Sequence, residues 1–425
     1  MPERDLAFLQ DLIRLQPQGE AAVQARVADA FTTLGCAVQT LHYHPADVPL
    51  RDEFAAPDAI ATEERAAIIA RFAGTGGGRS LIFFAHPDGE PVQALDRWTQ
   101  PPFAGAIANG RLHGWGVSDD LAGVAIMVDA LRTVLASGQR PQGDVVFAST
   151  PSKRHARGVA AVLHHGHVAD AAVYLHPAES GVGMREVKAI CGGQLYFTIT
   201  LAGRMPPTTE PGHAAFAHLA VNPLDKAPLI QAALAALGEA RAARVRHARI
   251  EAAIGRATNL LVSYIRCGEF GRFGRVSQSC VIGGAISFPP NERMADVQAE
   301  LAAALAVAAA ADPWLREQPP MLDWVSGVTG GELAEDHPLF RIVSEAVTAT
   351  TGAAPFVNAL HTASDIRVPH VQQGIPTVGL GPLGGDLSQN GAVDEWVDVA
   401  DYRRAVAVAA DVIRGWCGTT PATPP

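Results

Sequence analysis

The chain has 425 residues, 48% of them hydrophobic, enough for a large core and for more than one domain. Its formal net charge is −10 and no local run of lysines or arginines offsets it, which argues against a nucleic-acid footprint. The longest apolar runs, such as 301–311, are Ala-rich and too short to span a bilayer, so no membrane partner is expected.

The opening Met1-Pro2-Glu3-Arg4-Asp5 lacks a basic stretch followed by an apolar one, so no signal peptide is expected. Cys36, Cys191, Cys267, Cys280 and Cys417 are scattered, with no CxxC pair. They read as free or buried thiols in a reducing compartment, and the expectation is a cytoplasmic protein. In chain order, 5–16 and 20–34 carry apolar residues at helical spacing. Strands are predicted at 66–72, 80–85, 144–148, 171–175 and 376–380, and helices at 120–137, 156–165, 337–350 and 400–415. Nearly continuous apolar strands separated by helices predict a doubly wound, mostly parallel sheet, an α/β fold. The stretch 191–304 reads differently: strand 194–201, a Pro-rich loop at 203–218, helix 222–238, strands 259–267 and 277–288, helix 293–310. It is expected to be an inserted α+β domain, with 1–190 and 305–425 forming the main one.

The polar residues that stand out all follow strands. His86 follows 80–85, Ser152-Lys153-Arg154-His155 follows 144–148, and His176 follows 171–175. Open α/β sheets bind ligands beyond the carboxyl ends of their strands, so these residues mark a site. His86-x-Asp88 suits a metal site, the imidazole as ligand and the carboxylate fixing its tautomer. Asp119 closes the Gly-rich run Gly114-Trp115-Gly116-Val117-Ser118 just before a helix, where it suits a ligand, the helix N-cap, or both together. His176 before Pro177 is as well suited to a structural turn as to a ligand, and His164, His165 and His167 read as a polar helix end.

The run SLIFFAHPDGEP, then WTQPPFAGAIANGRLHGWGVSDDLAG, ADAAVYLHPAES, GHAAFAHLAVNPLDKA, HPLFRIVSEAVTATTG and GIPTVGLGP … AVDEW, resembles the co-catalytic zinc exopeptidase and deacylase family. Aminoacylases, glutamate carboxypeptidases, acetylornithine deacetylases and succinyl-diaminopimelate desuccinylases belong to it. The resemblance covers most of the chain. It implies a zinc-peptidase α/β domain carrying a ferredoxin-like lid through which the protein forms a homodimer. It also implies two metals bridged by one Asp, with a Glu-Glu pair supplying the general base and a ligand of the second ion.

Carried over, His86 matches the first His, Asp88 its orienting partner, Asp119 the bridge, and His176 the acidic ligand before Pro. Lys153 stands at the general base and Arg154 at the second metal's Glu. Gly391, or Asn390 with a one-residue shift, stands where the C-terminal His belongs. His213 matches the lid His that reaches the reacting carbonyl, nine residues before Asn222. Ser287 replaces the Arg that grips a substrate carboxylate, and His361 is a new polar group in the substrate-facing turn. Two cations in place of two carboxylates exclude a second metal; a dication about 4 Å from an ammonium is repelled by roughly 8 kcal/mol at an effective dielectric near 20. Arg154 is a candidate partner for Asp119 in the vacated space. The expectation is therefore one divalent metal, zinc by its donors, on His86, Asp119 and His176, or no metal at all. With it goes hydrolysis of an amide or related C–N bond in a small molecule. Asp88, His155 or Lys153 would move the proton, and Lys153 or Arg154 would hold the oxyanion. The alternatives are a metal-free lyase, decarboxylase or acyl-transfer enzyme, and an inactive binding protein.

Overall fold

Four short strands, Leu81–Ala85, Val145–Ser149, Ala171–Leu175 and Thr377–Leu380, are buried at every position. Alternation along them feeds two separate cores, as side chains of a strand covered on both faces must. Phe83, Val145, Phe147, Val173 and Leu175 pack with Leu9, Val27, Ile126, Val343 and Val408 of five helices. Ile82, Phe84, Val146, Ala172 and Tyr174 pack with the helix Gly158–His164 and with Ile366 and Val368. This is a computed structural model, and it describes residues 6–359, 361, 364–384 and 393–421.

The sheet runs Ala37–Tyr43, Arg65–Phe72, Val145–Ser149, Leu81–Ala85, Ala171–Leu175, Thr377–Leu380. The last four strands are parallel, and Arg65–Phe72 is antiparallel to both of its neighbours. The fold is the expected α/β type with a mixed, mainly parallel sheet. The edge strand Ala37–Tyr43 escaped the sequence reading because an edge exposed on one side carries no continuous apolar run.

The chain divides into two units, one of Met1–Arg51, Pro57–Ile190 and Glu332–Pro425, the other of Asp52–Ala56 and Cys191–Gly331. The second unit is a βαββαβ arrangement. Strands Asn259–Cys267, Ser279–Phe288, Gly193–Ala202 and Met321–Val328 lie side by side in that order, all antiparallel. Helices Ala227–Arg244 and Met294–Ala310 bury Ile230, Leu234, Val297 and Leu301 against Phe197, Ile199 and Ile282. The expected boundary at 304 is corrected to Gly331. It fell inside the second helix, and the strand beyond completes the ferredoxin-like sheet. Glu53–Ala55, from far upstream, adds a fifth strand to that edge. No helix among the described residues is long and apolar enough to cross a membrane.

Candidate active site

Three parallel strands end at Ala85, Ser149 and Leu175, and the segments that leave them bring His86, Lys153 and His176 to one place. Asp119 joins them from the turn that precedes the helix Ala122–Ala136. Gly116 makes that turn possible, at φ +64, where a side chain is disfavoured. Asp119 and Asp120 are joined by a cis peptide. Glu395, fully buried, holds the turn from behind by accepting the amides of Gly116, Ser118 and Asp119 at 2.9, 2.7 and 3.1 Å. Burial and the nearby Asp119 charge raise Glu395 to about 7 despite those bonds.

Asp119 sits between two cations. The Lys153 ammonium donates to Oδ2 at 2.5 Å and His86 Nε2 donates to Oδ1 at 2.8 Å. The other ring nitrogen of His86 faces the Asp88 carbonyl at 2.9 Å, so both nitrogens point at oxygen acceptors and both carry protons. Burial and the Lys153 charge pull His86 down, but Asp119 and Asp120 outweigh them and push it up to about 9. Asp119 is held far below the ordinary carboxylate range; burial opposes this, and His86 and Lys153 prevail. The adjoining Asp120 is driven upward by burial and by Asp119. It is Asp120, not Asp119, that accepts the Gly123 amide at the start of the helix, at 3.2 Å.

Asp88 does a different job from the expected one. Its main-chain carbonyl, not its carboxylate, takes the closer bond to His86. The carboxylate accepts the amides of Ser152 and Lys153, at 2.8 and 3.0 Å, and Arg65 Nη2 at 3.0 Å. Asp88 thus fixes the backbone that carries Lys153, and the buried Arg65, also bonded to Glu20 at 2.6 Å, anchors Asp88. Of the adjacent cations it is Lys153 that meets Asp119, so the placing of Arg154 on Asp119 is corrected. Arg154 and His155 are exposed, both in the left-handed region at φ +55 and +50. Arg154 lines a cleft of about 290 Å³ with Asp88, Glu20, Phe103 and Trp115.

His86 and His176 both approach the same oxygen of Asp119. His176 Nε2 stands 3.9 Å from the Asp119 oxygen that His86 already holds. Burial, then the neighbouring Lys188 charge, lower His176 to about 3, a neutral imidazole. Its ring packs edge to face on His361, the centroids 5.1 Å apart. His361 is bonded at Nδ1 to Glu179 Oε2, 2.9 Å, and at Nε2 to Ser364 Oγ, 2.8 Å. Glu179 was missed in the sequence, although it follows His176 by three residues. Also missed were Arg65, Glu395 and the buried Glu186–Lys188 pair; Glu395 lies in the AVDEW run, but only contact reveals what it and the others hold. In the other unit, His213 accepts the Ala215 amide and Asn222 the Leu224 amide, both capping short helical turns. Asn390 and Gly391 lie outside the described residues.

Mixed-sheet topology and a strand-end cluster of His, Asp and Lys define an α/β scaffold carrying a ferredoxin-like insert. The chain belongs to peptidase family M20/M25/M40, whose model matches residues 82–415. It is 28% identical over 429 residues to the succinyl-diaminopimelate desuccinylase of Methylobacterium radiotolerans, covering 97% of this chain and 96% of that protein. It is 24% identical over 359 residues to the N-formyl-4-amino-5-aminomethyl-2-methylpyrimidine deformylase of Halalkalibacterium halodurans, covering 80% and 79%. Among solved structures it resembles the Bacillus subtilis protein YXEP, a dinuclear metal binding peptidase, with a TM-score of 0.61, 15% identity, and 96% and 98% of the two chains covered.

The residues present do not fit an ion pair bridged by Asp119. Its Oδ2 takes the Lys153 ammonium at 2.5 Å, a positive charge that opposes an ion on the same carboxylate.

Proposed function

We propose that the protein is a hydrolase of an amide or related C–N bond in a small molecule, working with one divalent cation instead of two. The observation that carries this is the Lys153 ammonium on Asp119, in the space a second ion would need. A desuccinylase and a deformylase among the relatives support removal of an acyl group from nitrogen. An ammonium has three donors and Asp119 takes one, so Lys153 has donors left for a developing oxyanion. Asp88 serves as a positioning residue for Lys153, since its oxygens are occupied by two amides and Arg65. Absence of the lid Arg, replaced by Ser287, speaks against a plain α-amino-acid carboxylate in the substrate.

We also propose a homodimer through the ferredoxin-like unit. Its edge strand Asn259–Cys267 exposes Leu261 (58%), Tyr264 (48%) and Ile265 (46%), an open apolar edge of the kind that pairs with a second copy.

The test is release of free amine from a panel of N-formyl, N-acetyl and N-succinyl amines and dipeptides, with and without chelator. Release that stops on chelation and returns with a divalent ion supports the reading. No release from any member refutes it. Release indifferent to chelator but abolished in Lys153→Met would favour the metal-free alternative, for which the cationic His86–Asp119–Lys153 cluster is the supporting feature.

A further inference from the structure

We propose that His176, Glu179 and His361 form a binding site for a single divalent cation, zinc by its donor chemistry, beside the Asp119 position and not on it. Among the described residues this is the group of three whose ligand atoms, one from each, all lie within 4.8 Å of one another. Two imidazoles and one carboxylate are a donor set for zinc that leaves a fourth position open. Tetrahedral zinc at about 2.1 Å sets its ligand atoms about 3.4 Å apart, so the cluster needs a contraction of about an ångström and no change of fold.

The protons can be placed. His361 Nδ1–H now donates to Glu179 Oε2 at 2.9 Å, while Nε2 accepts the Ser364 hydroxyl at 2.8 Å. An ion entering between Nδ1 and Oε2 takes the Nδ1 lone pair, and the single proton of the neutral ring moves to Nε2. Ser364 Oγ turns from donor to acceptor. The ring changes tautomer with no net release of a proton, and Ser364 becomes the outer partner that fixes that tautomer. His176 has its Nδ1 towards the Pro177 carbonyl at 3.4 Å, which leaves Nε2 its lone pair.

The loop that carries two of the three ligands is held rigidly. Glu186 accepts the amides of Glu179 and Ser180 at 3.0 and 2.7 Å, the Ser180 hydroxyl, and Asn358 Nδ2 at 3.0 Å. Lys188, wholly buried, reaches Glu186 Oε1 and the Pro177 carbonyl, each at 2.6 Å. A salt bridge excluded from water thus pins both sides of the turn between His176 and Glu179, as a preorganised ligand set requires.

The role of the ion rests on the hydrolase reading, whereas the site rests on geometry, and the experiment separates the two. Chelator-stripped protein is titrated with Co²⁺ and Zn²⁺, reading stoichiometry by elemental analysis and Co²⁺ visible absorption. We expect one equivalent per chain. His361→Ala and Glu179→Gln should each weaken binding at least about tenfold, and Ser364→Ala by about tenfold, the lower end of what outer partners contribute. His86→Gln should leave binding unchanged. Circular dichroism and thermal melting confirm that each variant folds, and Glu179→Gln is isosteric. No binding by the unmodified chain overturns the inference. So does binding that survives His361→Ala and Glu179→Gln but is lost in His86→Gln. Ion bound as expected with no amine released from any substrate would instead sink the hydrolase reading alone.

Discussion

Replacing Lys153 by Met should open the Asp119 position to a divalent ion. Made in a His361→Ala background, the change leaves Asp119 as the anchor being measured. An ion about 2.1 Å from Asp119 Oδ1 would stand about 4.5 Å from an ammonium that is itself 2.5 Å from Oδ2. Repulsion between a dication and a single charge at that separation is about 7 kcal/mol at an effective dielectric near 20, and about 2 kcal/mol in bulk water. Lys153 is 23% exposed, so water enters and the gain lies between those limits. Even the lower one is about a 30-fold gain in affinity. Isothermal titration of Lys153→Met/His361→Ala against His361→Ala with Co²⁺ measures it. Equal affinities for the two proteins would show that the ammonium is not what excludes the ion, and the electrostatic argument would fail.

His86 should make stability depend on alkaline pH. Its value is raised from 6.5 to about 9 in the fold, so its contribution of about 3 kcal/mol is fully present below pH 6.5 and is lost as pH rises through 9. Urea denaturation of wild type and His86→Gln at pH 6.5, 8 and 10 should show their difference shrinking; a constant difference would contradict the assignment of both ring protons. Arg65→Met should destabilise by about 3–5 kcal/mol, because Asp88 and Glu20 lose their shared cation in a buried setting. A urea midpoint within error of wild type would dismiss that bracket. Glu395→Gln should cost about 1–3 kcal/mol, since one carboxylate oxygen is exchanged for an amide NH₂ that faces a backbone amide. The same assay reads it, and an unchanged midpoint would mean the turn at 116–119 is held by other bonds. Lys188→Met should lower both stability and Co²⁺ affinity; loss of the first without the second would show that the 177–180 turn keeps its shape unaided.

The sequence by itself determined the buried strands of the sheet and the address of the site. Apolar runs such as Leu81-Ile-Phe-Phe-Ala85 are local properties, because a strand covered on both faces must be apolar throughout, and the first polar residue after it must lie at the sheet's end. His86, Asp119, Lys153 and His176 were legible on those grounds. What only the tertiary structure decided is which of them touch. Lys153 and Arg154 are neighbours of like charge, and nothing local says that the first meets Asp119 while the second is exposed beside a cleft. That choice comes from Asp88 and Arg65, which hold the backbone of residues 152 and 153 from other strand ends. Glu179 and His361 lie 182 positions apart, and the strand Met321–Val328 lies far from its partner Gly193–Ala202. Pairings at such separations are set by the sum of many packing contacts, and no single segment carries them in its own pattern.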